Sequence, residues 1–400
     1  MTVKTVTTLQ AEWLVEPFTK SVVAALGDNN VKFVGGAVRD TLLRKPAADI
    51  DAATVHKPEE VMALLKAANI KVVPTGLKHG TVTAVEGAKT IEITTLRVDV
   101  ETDGRHAEVA FTTDWLEDAK RRDFTFNALY SAPDGSLYDP FDGLADLRAG
   151  LVRFIGNAKD RIEEDALRIL RFFRFFGRYG KGSPDAEALA ACGEKKQMLG
   201  RLSIERVRDE LLKIVALPDP LPVVKLMASC GILQEIYGPE FCEAQLEAFL
   251  QSEKTSEVDR LPYLPLLRFY ILAPASLGAA GVSKTFRLSN EDRRFLLKFE
   301  DMRARGCPDT IQQIHEAIYL FGAQTVRARA IGCDRDEFSQ ISTECEAWQV
   351  PVMPVNGQDL LAVGWEPGPE MGKCLKQLEQ LWIESDFNLD RKELLATLKS

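Results

Sequence analysis

The sequence predicts an α+β protein: an N-terminal palm on a small mixed β-sheet, followed by an all-α remainder. Two observations carry this. Up to Gly150, short β-branched runs alternate with helical patterns. After Gly150 the strand signals nearly stop, and apolar residues recur at helical spacing. Breakers near 218–222, 278–281 and 351–357 divide the helical part. The expected blocks are a head at 1–150, a neck at 151–217, a body at 218–285 and a tail at 286–400.

In chain order, strands are expected at 31–34 and 50–53, a helix at 57–69, and strands at 70–73, 81–85 and 90–96. Glycine, proline and histidine between the last three imply antiparallel neighbours. Further on, Ile162, Ala166, Ile169, Phe173 and Phe176 share one helical face, as do Val207, Leu211 and Ile214. Ser289-Asn290-Glu291-Asp292 has the composition of a helix start.

Gly35 and Gly36 stand where the first strand gives way to a helix. Bare backbone there can approach a phosphate, and exposed N–H groups can hold it. Asp49 and Asp51, one residue apart on the second strand, point to one face because side chains alternate with period two. Two carboxylates beside a phosphate cradle form a natural Mg²⁺ site. Paired ions there activate an attacking hydroxyl and neutralise a leaving pyrophosphate. A Gly-Gly turn or an Asp-x-Asp alone is common in soluble chains. Their conjunction reads as nucleotidyl transfer.

Downstream come Lys120-Arg121-Arg122-Asp123-Phe124-Thr125-Phe126-Asn127-Ala128, then Tyr138-Asp139-Pro140-Phe141-Asp142-Gly143, then Glu163-Glu164-Asp165-Ala166-Leu167-Arg168-Ile169-Leu170-Arg171. In order, GGxVRDxLL…DID, RRDFTxNA, DPFDGxxDL and EDALRILR resemble the motif set of class II tRNA nucleotidyltransferases, the CCA-adding enzymes. The resemblance runs from about Val31 to about Val215. The stretch from Glu92 to Glu108 is similar to the bacterial and mitochondrial branch.

That resemblance implies a nucleotidyltransferase palm and template-independent addition of CCA to the 3′ end of tRNA from CTP and ATP. It implies two Mg²⁺ ions on Asp49 and Asp51, and tRNA held at its 3′ end and elbow, with neither DNA nor a membrane as partner. Glu92 alternates with Ile91 and Ile93 and is expected as the palm's third acid. Arg39 is expected to orient the triphosphate. Arg121 and Arg122 offer planar forks of donors for phosphate. Asp123 and Asn127, i,i+4 neighbours on one expected helix, suit a ribose hydroxyl.

Asp165 and Arg168, at i and i+3 on one expected helix, present an acceptor beside a fork of donors. Arg168 can donate to the ring nitrogen of cytosine or adenine while Asp165 accepts from the exocyclic amine. Guanine and uracil reverse that polarity, at about 1–3 kcal/mol per buried unpaired group. Glu164 and Arg171 are expected to hold Arg168 in place. The polar stretch 98–118, hinged at Gly104, is in related enzymes a flexible loop that reshapes the pocket between cytidine and adenosine. In the tail, Glu366-Pro367-Gly368-Pro369-Glu370-Met371-Gly372 is similar to the family's PGPxxG element, a turn feeding a helix N-terminus that can hold backbone phosphate.

Rivals within enzymes are a CC-adding enzyme and a bacterial poly(A) polymerase. Outside them stands a catalytically inactive RNA-binding relative. No GRRF-type segment of the poly(A) polymerases lies between Asp51 and Arg121, and His315 alone follows residue 106, too few histidines for an HD phosphohydrolase domain.

Four hundred residues, 46% hydrophobic and 27% charged, suit two to three globular domains. No apolar run reaches membrane-span length and no secretory or transit pattern opens the chain, so a cytoplasmic location is expected. Seven scattered cysteines without a CxxC pair are expected to be buried free thiols and not a zinc site. The net charge of −9 does not exclude RNA, because residues 151–220 carry 14 Lys/Arg against 11 Asp/Glu beside the expected site.

Overall fold

The computed structural model describes residues 8–47, 49–100, 108–256 and 261–399. The chain divides into two compact units: Met1–Glu210 with Leu226–Ile236, and Leu211–Lys225 with Tyr237–Ser400.

The first unit holds the sheet. Its strands are β1 (Val31–Val34), β2 (Ile50–Thr54), β3 (Lys71–Gly76), β4 (Thr81–Glu86), β5 (Lys89–Thr95), β6 (Arg97–Val100), β7 (Glu108–Phe111), β8 (Tyr130–Ser131) and β9 (Leu137–Tyr138). Seven of them form one sheet in the order β3-β4-β5-β2-β1-β8-β9. The β3-β4-β5 meander is antiparallel, as the turn residues imply, while β2 and β5 run parallel, so the sheet is mixed. The α+β palm is thus as expected. Beyond β9 the described residues form helices and turns, apart from a single bridge between Phe124 and Phe154.

Three local expectations differ. Residues 121–127 are not one helix: Trp115–Lys120 ends at Arg121, and a 3-10 turn occupies Thr125–Ala128. A helix also does not run through Asp165. Helix Ala158–Glu164 stops there, with Asp165 extended at φ −151°, and Leu167–Tyr179 starts anew. The side chain of Asp165 takes the N–H of Leu167 at 3.1 Å, a local bond that competes with helix continuation. Finally, the expected loop 98–118 is in its described part a two-stranded ribbon, β6 with β7, followed by helix Trp115–Lys120 capped by Asp114. Gly104, its expected hinge, lies outside the described residues.

Helix Leu167–Tyr179 seals the palm's aromatic core. Phe172 and Phe173 are fully buried, and Phe124 lies 4.8 Å from Phe154 and 5.4 Å from Phe175, centroid to centroid. Arg168, Arg171, Arg174 and Arg178 recur on its other side at spacings of three and four.

The second unit is helical throughout its described residues. Helix Asn290–Arg305 begins as expected, with the Ser289 hydroxyl taking the N–H of Asp292 at 3.0 Å. Gly278, at φ +58°, ends the 3-10 turn Ala275–Leu277, and helix Gly278–Thr285 follows at once. The PGPxxG segment is a turn into helix Pro369–Glu384. Arg268 is buried against Glu253 and donates to the carbonyls of Val215 and Leu217 at 2.8 Å each. Among the described residues no single helix is long and apolar enough to cross a membrane. One pair, Leu264–Leu272 with Ala275–Thr285, passes by composition but is bent by 103°. Its Leu266, Leu267, Phe269, Ile271, Leu272 and Val282 are buried in the core.

Not all cysteines are free: Cys307 and Cys333 form a disulfide between the ends of two helices. The close approach arises from tertiary packing of positions 26 residues apart, which spacing does not reveal.

Candidate active site

The parallel register of β2 and β5 sets Asp51 opposite Glu92, two carboxylates on one sheet face. Gly35, at φ +79°, ends β1 against them. A Cβ there would lie 3.0 Å from Oδ2 of Asp51, so glycine is needed for both conformation and space. Asp49 sits on the bend before β2, more exposed than Asp51.

Two clefts meet at Asp51. One, of about 540 Å³, is lined by Gly35, Gly36, Asp51, Asp123, Asn127, Asp165, Phe175 and the arginines 39, 97, 121, 122, 168, 171, 174 and 206. The other, of about 430 Å³, adds Glu92, His79 and Thr81. Arginine so outnumbers acid in the first cleft that its natural occupant is a polyanion.

Each functional side chain is held from behind. Arg39 is buried, donates to Oδ1 of Asn127 at 2.5 Å, and stacks within 6 Å of Phe126, Phe175 and Tyr179. Arg122 donates to Tyr130 at 2.9 Å and to Asp118 at 3.2 Å. Burial pushes the Asp118 carboxyl up, but Arg122, Arg121 and the Tyr130 hydroxyl hold it below its ordinary value. Asp123 accepts from Asn127 at 2.6 Å, from Arg171 at 2.6 Å and from the N–H of Phe124. Burial opposes its ionisation, and those partners win. Its carboxylate is therefore engaged with its own chain, and Asn127 and Arg171 are what it positions.

Asp165 and Arg168 are brought to one cleft, though not as a pair. Arg168 donates to Glu164 at 2.6 Å and to the carbonyls of Arg161 and Arg121 at 2.7 and 3.2 Å. Asp165 is paired with Arg206 at 2.8 Å. Glu164 holds Arg168 as expected. Arg171 does not, because its fork turns to Asp123.

Could these residues hold a metal? Among the described residues no three His, Cys, Asp or Glu converge as a ready-made cluster. The charge pattern nonetheless fits a cation. Burial, then Glu92 and Asp49, push the Asp51 carboxyl up to about 6, against the pull of Arg122 and Arg39. Crowded carboxylates of this kind are relieved by a divalent ion.

The poly A polymerase head domain model matches residues 31–153, and a model described as the probable RNA and SrmB-binding site of polymerase A matches residues 183–245. The mitochondrial CCA tRNA nucleotidyltransferase 1 of Mus musculus is 35% identical over 93% of this chain and 87% of its own length. The chain belongs to the CCA tRNA nucleotidyltransferase family. The CCA-adding enzyme of Streptococcus pyogenes is 30% identical over 90% of both chains. Among solved structures, the Bacillus stearothermophilus CCA-adding enzyme in complex with CTP superposes with a TM-score of 0.76. It is 25% identical, covering 96% of this chain and 97% of that one. The Thermotoga maritima enzyme complexed with tRNA has the same fold, with a TM-score of 0.62 at 19% identity.

Within the family's motif set, several residues that build the site carry no local signal. Arg161 donates to the carbonyls of Arg121 and Arg122 at 2.5 and 2.8 Å and pairs with Glu164, linking the Arg121–Arg122 pair to the turn at Asp165. Asp118 and Tyr130 anchor Arg122, and Arg206 meets Asp165 from 41 residues away. The arginines at 174 and 178 had one available sign, their recurrence on a helix whose other side is phenylalanine.

Proposed function

We propose that the chain adds CCA to the 3′ end of tRNA by template-independent nucleotidyl transfer from CTP and ATP, releasing pyrophosphate. The observation that carries this is the arginine-lined cleft opening on Asp51, with Asp165 and Arg168 in the same wall. Arg39, Arg121 and Arg122 face the triphosphate, and Gly35 and Gly36 let backbone approach it. Asp49 and Asp51, with Glu92 beside them, would hold two Mg²⁺ ions, which supply charge neutralisation at the leaving pyrophosphate and at the attacking hydroxyl. Asp165 accepts from the exocyclic amine and Arg168 donates to the ring nitrogen of C or A, with Glu164 and Arg161 keeping the guanidinium in place. Asp123, Asn127 and Arg171 form the floor under the ribose. The division into head, neck, body and tail follows this work, with the tail gripping the tRNA elbow, and a cytoplasmic setting fits it.

Incubation with tRNA lacking its end, and with each NTP singly and together, tests the proposal. Three residues followed by a stop are expected. Long A tails would make it a poly(A) polymerase, a CC end a partial enzyme, and no extension an RNA binder.

A further inference from the structure

Within the second unit a cleft of about 400 Å³ opens between helices Glu243–Thr255 and Asn290–Arg305 and the end of Ala323–Ala330. Phe299, Ala328 and Ile331 line it and are buried, Phe249 stands beside them, and Arg303 and Arg329 open on it. No acidic side chain is in its wall. Among the described residues neither guanidinium has a hydrogen-bond or ion-pair partner, and Nε of Arg329 is fully buried with no acceptor. Burial and the charge of Arg303 together push the Arg329 guanidinium below its ordinary value. The buried Arg268 of the same unit differs: it has Glu253 and two carbonyls. A half-buried guanidinium beside a second, exposed one is costly without a counter-ion unless something outside the chain supplies it.

We infer that this cleft binds a phosphate-bearing nucleotide unit of RNA, the phosphate between Arg303 and Arg329 and the sugar or base against Phe249 and Phe299. Arginine forks match phosphate oxygens in pairs, and the volume exceeds what an inorganic anion fills. RNA as the source rests on the function proposed above. A free nucleotide carries the same chemistry.

Arg303→Gln, Arg329→Gln and the double substitution test it, with Arg303→Lys as the charge-keeping control. The affinity for tRNA lacking its end should fall about tenfold in the double variant, and the slope of log K against log salt by about one. Titration with AMP in excess CTP distinguishes the source. Lost AMP binding with intact tRNA affinity keeps the phosphate site and makes a free nucleotide its ligand. Both affinities unchanged overturns the site. The melting temperature of the unliganded protein should stay level or rise, since the substitutions remove repulsion and no contact. A fall means that these arginines hold the fold, and the site is refuted. Turnover at saturating tRNA should persist in every variant, so failure here leaves the CCA-adding activity standing.

Discussion

Asp51 shows how one residue bears opposite demands. Its carboxyl is pushed up to about 6 from an ordinary 3.8, so the folded protein holds a proton that the unfolded chain has already released. The stabilisation is complete below about pH 4 and is lost as pH climbs through 6, at about 3 kcal/mol. Asp51→Asn should abolish incorporation of both C and A. In metal-free buffer at pH 8 it should nonetheless melt several degrees higher than the parent, with the gain gone at pH 4. Equal melting curves at pH 8 would show that the carboxylates do not repel. Arg168→Ala should act on choice instead of chemistry, with discrimination against UTP and GTP falling tenfold or more in single-turnover assays. Full selectivity in an earlier-melting protein would make Arg168 only an anchor for Glu164 and its neighbours. Gly35, Asp51 and Glu92 were legible because their signals are local: a strand end, and period-two alternation. Arg206 was not, because its meeting with Asp165 spans 41 residues of sequence. Arg171 was misread because helical spacing says who is adjacent along the axis. It does not say which way a long fork turns.

At the scale of elements, the break at Asp165 matters most. An unbroken helix would carry Asp165 and Arg168 around its surface at fixed angles. The extended residue lets Asp165 meet Arg206 while Arg168 stays with Glu164. Such a break is invisible to apolar periodicity, since Ile162, Ala166 and Ile169 keep their spacing across it. The ribbon β6–β7 was hidden for a similar reason: its two arms are only four residues each, and pairing is a property of both together. One pocket must take cytosine and then the larger adenine with a single donor–acceptor pattern, so its shape has to change between additions. The ribbon is attached next to Asp118 and Arg97, at the cleft wall. Shortening the sequence between Val100 and Glu108 should leave products ending in CC, with the first two additions near normal on a sequencing gel. Completion of CCA at the parental rate would assign the switch to the turn at Asp165.

For the molecule as a whole, net charge misleads. A chain of −9 gathers eight arginines around one cleft, so the field that RNA meets differs in sign from the sum. Raising salt from about 50 to 200 mM should weaken tRNA binding at least tenfold in a filter assay, and a flat response would remove phosphate contacts from the account. The order of motifs made the palm and the helical remainder legible. Sheet order was not, because it depends on which strands meet after long excursions. That order has a consequence in time. β2 leaves the ribosome well before β5, and its parallel partner reaches it only after the β3-β4 excursion is complete. Until then Asp51 has no Glu92 beside it. A chain stopped before β5 therefore lacks Glu92 and every cleft arginine but Arg39, and has no reaction centre with which to extend an RNA end.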